Sequence, residues 1–149
     1  MRAVIQRVAR AQVSVNNELR AKIGTGLLAL IGVEKDDTDQ DAEFIARKIS
    51  QLRIFEDGAG KLNLSVKDVG GALLIVSQFT LLGDCRKGSR PSFTLSAAPE
   101  VAEPLLTKTC DLIRGEGVTV QTGVFGALMN VELVNTGPVT VILDSRRTM

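Results

Sequence analysis

The residues of this chain that could do chemistry lie mainly in two short segments, about 60 residues apart. The SQFT segment is Ser77, Gln78, Phe79 and Thr80, and the NTGP segment is Asn135, Thr136, Gly137 and Pro138. The chain has no His and two Cys, so a Ser-His-Asp triad is excluded, and neither a zinc site nor a Cys-His pair is expected. A hydrolytic reaction would therefore act on an already reactive bond, or use main-chain groups, hydroxyls or the substrate itself.

The composition is that of a globular protein. Hydrophobic residues make up 44% and charged residues 23% of the 149 residues, so we expect one domain, residues 1–149, that builds its own core. No apolar run approaches the ~20 residues needed to cross a bilayer. The amino-terminal residues alternate like a strand and lack the apolar block of a signal peptide. We therefore expect a cytoplasmic protein with no membrane contact.

Two helices and several strands must position the two segments. Residues 36–39 offer caps for a first helix, and an apolar stripe at spacings of three and four follows them. Pro99 suits the start of a second helix, which is expected to end near Gly115. Asn16 and Asn17 predict a hairpin turn. Strands are predicted over 3–15, 18–23, 27–33, 53–56, 72–79 and 118–143, the last interrupted at Gly123, at Gly126 and at the NTGP segment. This order predicts an α+β domain with a mixed, largely antiparallel sheet.

The two segments, in this order, resemble the signatures of the D-aminoacyl-tRNA deacylases. Further matches are Arg7 in a first strand, the loop 83–93 and the segment 122–129, so the resemblance covers almost the whole chain. It implies a single compact domain in which two helices cover a curved sheet system, and a homodimer. It also implies hydrolysis of D-amino acids, and sometimes glycine, from the acceptor end of mischarged tRNA, without metal or cofactor.

The resemblance assigns the catalytic role to the SQFT segment. The N–H groups of Phe79 and Thr80 would face the ester carbonyl, Gln78 would help to position the ester, and the Phe79 ring would shape the site for the terminal adenosine. Thr80 could instead be a nucleophile, but nothing adjacent can deprotonate it. We therefore favour positioning by Thr80, with assistance from the 2′-hydroxyl of the tRNA.

The NTGP segment would select the chirality of the substrate. In the family the Gly-Pro peptide bond is cis and reaches into the partner subunit's active site, so the same is expected of Gly137 and Pro138. A rigid carbonyl there would exclude an L side chain, and the stiffness of Pro and the missing Cβ of Gly suit this task. Many family members carry Asp in place of Thr136, which makes the hydrogen bonds of this turn harder to predict. The resemblance also implies that Arg7 holds the turn.

Other residues have less specific assignments. Phe125 and Met129 are either core residues or walls of the substrate pocket, and Cys85 is expected to be a neutral loop residue. The net charge of +1 gives no global attraction to nucleic acid, yet Arg86, Lys87 and Arg90 are candidates for tRNA phosphate contacts. With 3% aromatic residues and no Trp or Tyr, a platform for stacking bases is not expected. The alternative hypothesis is a non-catalytic dimeric sheet domain that binds RNA or protein.

Overall fold

The computed structural model describes residues 1–148. Its strands and helices are, in chain order, β1 (Arg2–Val15), β2 (Glu18–Ile23), β3 (Gly26–Gly32), α1 (Asp39–Gln51), β4 (Phe55–Glu56), β5 (Leu62–Leu64), β6 (Ala72–Ser77), α2 (Pro99–Gly115), β7 (Thr119–Thr122) and β8 (Asn130–Asp144). A short 3₁₀ turn covers Phe79–Leu82 between β6 and α2. Both predicted helices are present, and no helix of residues 1–148 is long and apolar enough to cross a membrane.

A six-stranded sheet is built around β1. One edge of β1 pairs antiparallel with β3 along its first half and with β2 along its second half, while β8 pairs antiparallel with almost its whole length. The sheet continues from β3 to β6 and then to β7 through parallel pairs. Asn16 and Asn17 both have positive φ in the two-residue turn between β1 and β2, as predicted. The mixed, largely antiparallel sheet with two helices confirms the predicted α+β fold.

Both faces of the sheet are covered. On one face, buried residues of β1, β3 and β6 pack with α1 and α2 into a single apolar cluster. On the opposite face, a smaller cluster gathers side chains such as Val13, Leu28 and Leu74 beneath Met129 and β8. Because β3 contributes Leu27 to the first cluster and Leu28 to the second, it is apolar at almost every position, as a strand buried on both faces requires.

Two predicted strands are two residues too long: β4 starts only at Phe55, and β6 ends within the SQFT segment. β6 ends at Ser77, two residues early, and its last pair with β3 joins Ser77 to Ile31, one residue before β3 itself ends. Gln78 makes the last bond to β3, from its N–H to the carbonyl of Ile31 at 2.8 Å, and the chain then turns. At the NTGP segment β8 continues as one strand from Asn130 to Asp144, but its pairing with β1 is interrupted at residues 136–139, where the prediction put an interruption. The segment forms a bulge in β8.

Candidate active site

A cavity of about 550 Å³ lies where β6 ends. Ser77, Gln78 and Phe79 line one side of it, and Phe125 and Met129 line another. The structure therefore brings the first part of the SQFT segment together with both predicted pocket walls. A larger depression of about 860 Å³ runs along the surface of α2, but it contains no residue of either segment.

The main chain turns sharply at the mouth of this cavity. The N–H of Leu81 bonds the carbonyl of Gln78 at 3.2 Å, and the N–H of Gly83 bonds that of Thr80 at 3.0 Å. The first N–H groups of such a turn have no partner within it. Within residues 1–148, the N–H groups of Phe79 and Thr80 have no hydrogen-bond acceptor. Two adjacent donors are thus left unpaired where the strand meets the cavity.

Neighbouring elements hold this turn in place. The Ser96 hydroxyl donates to the Phe79 carbonyl at 3.2 Å, and the Arg2 guanidinium donates to the Leu81 carbonyl at 3.2 Å. Thr80 is exposed and does not line the cavity, and its hydroxyl oxygen accepts a hydrogen bond from the Gln78 side-chain amide. No carboxylate bonds the Thr80 hydroxyl in residues 1–148.

The NTGP segment stands opposite a single residue of β1. Gln6 pairs with Thr140 and Val8 pairs with Asn135, so residues 136–139 all face Arg7. The Asn135 side chain closes the bulge, because its amide oxygen accepts the Val139 N–H at 2.8 Å and its amide nitrogen donates to the Val139 carbonyl at 3.1 Å. The hydrogen bonding of this bulge thus runs through Asn135 and needs no side chain from the position where the family commonly has Asp.

The peptide bond between Gly137 and Pro138 is cis, as predicted. Gly137 has φ of 138°, and both residues are exposed. A Cβ added at Gly137 would meet Val139 Cγ2 at 2.8 Å and Arg7 Nη2 at 2.9 Å. Neither Gly137 nor Pro138 lines the cavity of its own chain, so the structure does not bring the NTGP and SQFT segments together within one chain.

Arg7 ties the bulge to the rest of the fold. Its side chain is buried, with 8% of the residue exposed. Its Nε donates to the Thr136 carbonyl at 2.9 Å, and its Nη1 donates to the Ile54 carbonyl, also at 2.9 Å. The fixed fork of a guanidinium reaches both carbonyls at once. The structure therefore places Arg7 at the turn, where the resemblance expects it.

The basic loop between β6 and α2 is closed by a backbone pair. Asp84 and Ser92 exchange N–H···O bonds of 2.7 and 2.9 Å. The Arg86 guanidinium binds the Asp84 carboxylate through two bonds of 2.9 and 2.7 Å, and this lowers the pKa of Asp84 to about 2. Lys87 and Arg90 are exposed and belong to no ion pair of residues 1–148. Of the three predicted phosphate contacts, these two therefore carry the uncompensated charge.

Some cavity residues were not predicted. Ser96, Ala97 and Ala102 line it from the start of α2 and the loop before it. Their small size gives no signal in the sequence, and only Pro99 marks the helix start.

The described part of the chain contains no group of three or more Cys, Asp or Glu residues able to hold a metal ion. Cys85 is exposed, whereas burial raises the pKa of Cys110 to about 11.

The model of the D-Tyr-tRNA(Tyr) deacylase family matches residues 4–144. The chain belongs to this family. It is 58% identical over 147 residues to the D-aminoacyl-tRNA deacylase of Anaeromyxobacter dehalogenans (strain 2CP-C), and 54% identical over 147 residues to that of Fervidobacterium nodosum (strain ATCC 35602 / DSM 5306 / Rt17-B1). Both alignments cover 99% of this chain and 99% of the relative. The predicted family and the enzyme class, a hydrolase acting on ester bonds, are confirmed.

Solved structures share the fold of this chain. A protein described as the c-Myc DNA unwinding element binding protein superposes with a TM-score of 0.91 at 40% identity, covering 97% of this chain and 98% of that one. A probable eukaryotic D-amino acid tRNA deacylase superposes with a TM-score of 0.79 at 20% identity, covering 95% and 97%. The second likeness, at this low identity, shows the fold alone.

Proposed function

We propose that this chain hydrolyses the ester of D-aminoacyl-tRNA to a free D-amino acid and tRNA, and that it does so in the cytoplasm. Family membership supports the substrate, and the cavity at the end of β6 supports the place of the reaction. An aminoacyl ester is more reactive than an amide and has a ribose hydroxyl beside it. A chain without histidine can therefore accelerate its hydrolysis by orienting the ester and stabilising the oxyanion.

The single observation that carries the mechanism is the pair of unpaired N–H groups on Phe79 and Thr80. In the proposed reaction, water attacks the ester carbonyl while these two donors bind the developing oxyanion. Collapse of the intermediate breaks the bond to the ribose 3′-oxygen, which takes up a proton, and the neighbouring 2′-hydroxyl assists the attack. Removing one such donor elsewhere costs about 2.7–4 kcal/mol of barrier, so two of them supply a large share of the acceleration.

Thr80 acts in this proposal by position and not as a nucleophile. Its oxygen already accepts a hydrogen bond from the Gln78 amide, and an amide cannot remove its proton. Replacing Thr80 by Ala separates the two mechanisms. We expect turnover to persist and no acyl-enzyme to be trapped in the parent. Loss of turnover together with a trapped acyl-enzyme in the parent would establish the covalent route instead.

Chiral selection is assigned to the NTGP segment of a second subunit. Gly137 and Pro138 are exposed, are anchored through Arg7, and lie outside the cavity of their own chain, which supports insertion into the cavity of a homodimer partner. A carbonyl fixed beside the substrate α-carbon would exclude an L side chain and admit a D side chain or the hydrogen of glycine. Glycyl esters on a non-cognate tRNA are therefore proposed as additional substrates.

The first test is hydrolysis of one tRNA charged separately with the D and the L form of one amino acid. We expect loss of the D ester alone. Persistence of both esters would favour a non-catalytic interaction domain, and loss of both would contradict the chiral filter.

The filter itself is tested by replacing both Gly137 and Pro138 with Ala. We expect L esters to be cleaved as well, because the new Cβ at position 137 displaces the segment. Gly24→Ala is the matched control, since a Cβ there meets nothing within 4 Å. Full discrimination between enantiomers in the double variant would rule out this role.

A further inference from the structure

The few aromatic residues of this chain gather at the cavity. Of five Phe residues, Phe79 and Phe125 line it, and Phe93 packs edge-to-face against Phe79 with ring centroids 5.2 Å apart and an interplanar angle of 72°. Phe93 itself does not line the cavity. It is an exposed ring beside Phe79, outside the cavity lining, and we call Phe79 and Phe93 the rim rings. The composition argued against a stacking platform, but the fold concentrates the available rings at one place.

Both rim rings are open to solvent. Phe79 is 55% exposed and Phe93 is 37% exposed, whereas Phe55 is buried at 7%. Adjoining exposed aromatic rings at the edge of a cavity are typical of a surface that binds a ligand. Their planar faces suit a nucleic-acid base, because every base offers a π-face for stacking.

The two rings are held on one rigid support. Ser96 donates its hydroxyl to the Phe79 carbonyl at 3.2 Å and its N–H to the Phe93 carbonyl at 3.0 Å. Gly83 lies directly against the Phe93 ring, where an added Cβ would come within 3.0 Å of Cε1. The rings are therefore preorganised, and a base that stacks there needs little further ordering of the protein.

Positive charge lies next to Phe93 along the chain. The loop closed by Asp84 and Ser92 carries Lys87 and Arg90, both exposed and both outside the ion pairs of the described residues. Aromatic rings beside a basic loop form the combination that proteins use to bind single-stranded nucleic acid, with rings for the bases and cations for the phosphates.

We propose that Phe93 stacks the base of the nucleotide that precedes the terminal adenosine of the tRNA, with Lys87 and Arg90 facing its phosphate. This inference rests on the proposed function, which puts the terminal nucleoside and its ester in the cavity beside Phe79. The single-stranded end of the tRNA must then leave the cavity across the rim. Phe93 is the next ring on that rim, and the basic loop follows it.

The test compares the affinities of uncharged ligands, so it does not depend on hydrolysis. Binding of adenosine and of the trinucleotide CCA is measured by calorimetry for the parent and for Phe93→Leu, which keeps an apolar side chain against Gly83. We expect the parent to bind CCA more tightly than adenosine. Phe93→Leu should weaken CCA binding about tenfold, in the range that stacking on one aromatic ring supplies, and should leave adenosine binding unchanged. Leu95→Ala, at an exposed position of the same loop, should change neither affinity.

Two results would overturn the proposal. Equal losses for adenosine and CCA would show that Phe93 only positions Phe79. An unchanged CCA affinity would show that no base stacks on Phe93, and a weaker self-association in sedimentation beside it would show that a second copy of the chain covers the ring instead. If CCA binds as proposed and the D ester still persists in the hydrolysis assay, the proposed function fails while this subsite stands.

Discussion

Replacing Arg7 by Lys tests whether one side chain fixes the position of the NTGP segment. The guanidinium of Arg7 donates to the carbonyls of Thr136 and Ile54, each at 2.9 Å, and a third nitrogen lies 4.0 Å from Glu56 Oε1. Lysine keeps the positive charge but has one compact ammonium in place of the fork. Because the two carbonyls belong to separate parts of the chain, we expect the ammonium to bond one of them and to release the other.

The loss of folding stability in Arg7→Lys can be calculated from these contacts. A hydrogen bond to a charged group contributes about 1.5–3 kcal/mol, so Arg7→Lys should lower the free energy of unfolding by about 2 kcal/mol. At the typical unfolding entropy per residue, this corresponds to a fall in Tm of about 6 °C for a chain of 149 residues. The exposed Arg10 lies on the same strand, and Arg10→Lys should change the unfolding free energy by less than about 0.5 kcal/mol.

Two assays measure the effect of Arg7→Lys on stability and on selectivity. Urea denaturation gives the unfolding free energy, and hydrolysis of paired D and L esters of one tRNA gives the selectivity. We expect Arg7→Lys to cleave the L ester measurably faster than the parent, because a released Thr136 carbonyl lets the bulge move. If Arg7→Lys matches Arg10→Lys in both assays, the anchoring argument is wrong. A stability loss with parental selectivity would show that Arg7 supports the fold but does not hold the filter.

Three further outcomes follow from the packing and charges of the chain. Gly26→Ala should prevent stable folding, seen as lost cooperativity in thermal unfolding, because the new Cβ would overlap the backbone carbonyl of Ala72 in β6. A native-state thiol reagent should label one Cys per molecule, the exposed Cys85 and not the buried Cys110, and Cys85→Ser should remove the label while D-ester hydrolysis continues. In carbon-13 NMR the carboxyl of Asp84 should titrate with a pKa of about 2, and Arg86→Gln should move that pKa up towards 3.8, the ordinary value. Since the pKa of Asp84 is lowered in the folded state, the contribution of its carboxylate to stability is present above about pH 4 and is lost as the pH falls towards 2. If Asp84 had the same pKa in Arg86→Gln as in the parent, the Arg86 guanidinium would not be the cause of the lowered pKa.

The end of β6 shows where local patterns fail. Residues 72–79 are apolar enough for a buried strand, yet β6 stops at Ser77, and the chain turns away after the bond from the Gln78 N–H to the Ile31 carbonyl of β3. The pattern of Asn135 to Pro138 predicts an interruption, but it does not show that β8 pairs again beyond it, because β1 offers backbone partners on both sides of Arg7. In both places the partners belong to another strand, and no window of neighbouring residues contains them.

The sequence by itself determined the elements whose signals are local. Each of these elements is indicated by a few neighbouring residues, because helix and strand periodicity acts over that range. The signals are the apolar stripe of α1, the Pro that starts α2, the Asn pair between β1 and β2, and the apolar run of β3. The absence of His excludes a Ser-His-Asp triad in any fold that the chain could adopt. The motif resemblance indicated the family, and the match of the family model to residues 4–144 confirmed it.

Only the tertiary structure decided which of these residues meet. It joined Arg7 to Thr136 across 129 residues, set Phe93 against Phe79, and closed the cavity with Phe125. It also left two N–H groups unpaired at the cavity mouth and placed the Gly-Pro pair outside the cavity of its own chain. Such contacts depend on the register of strands that are distant in sequence, and register is set by the packing of the whole sheet.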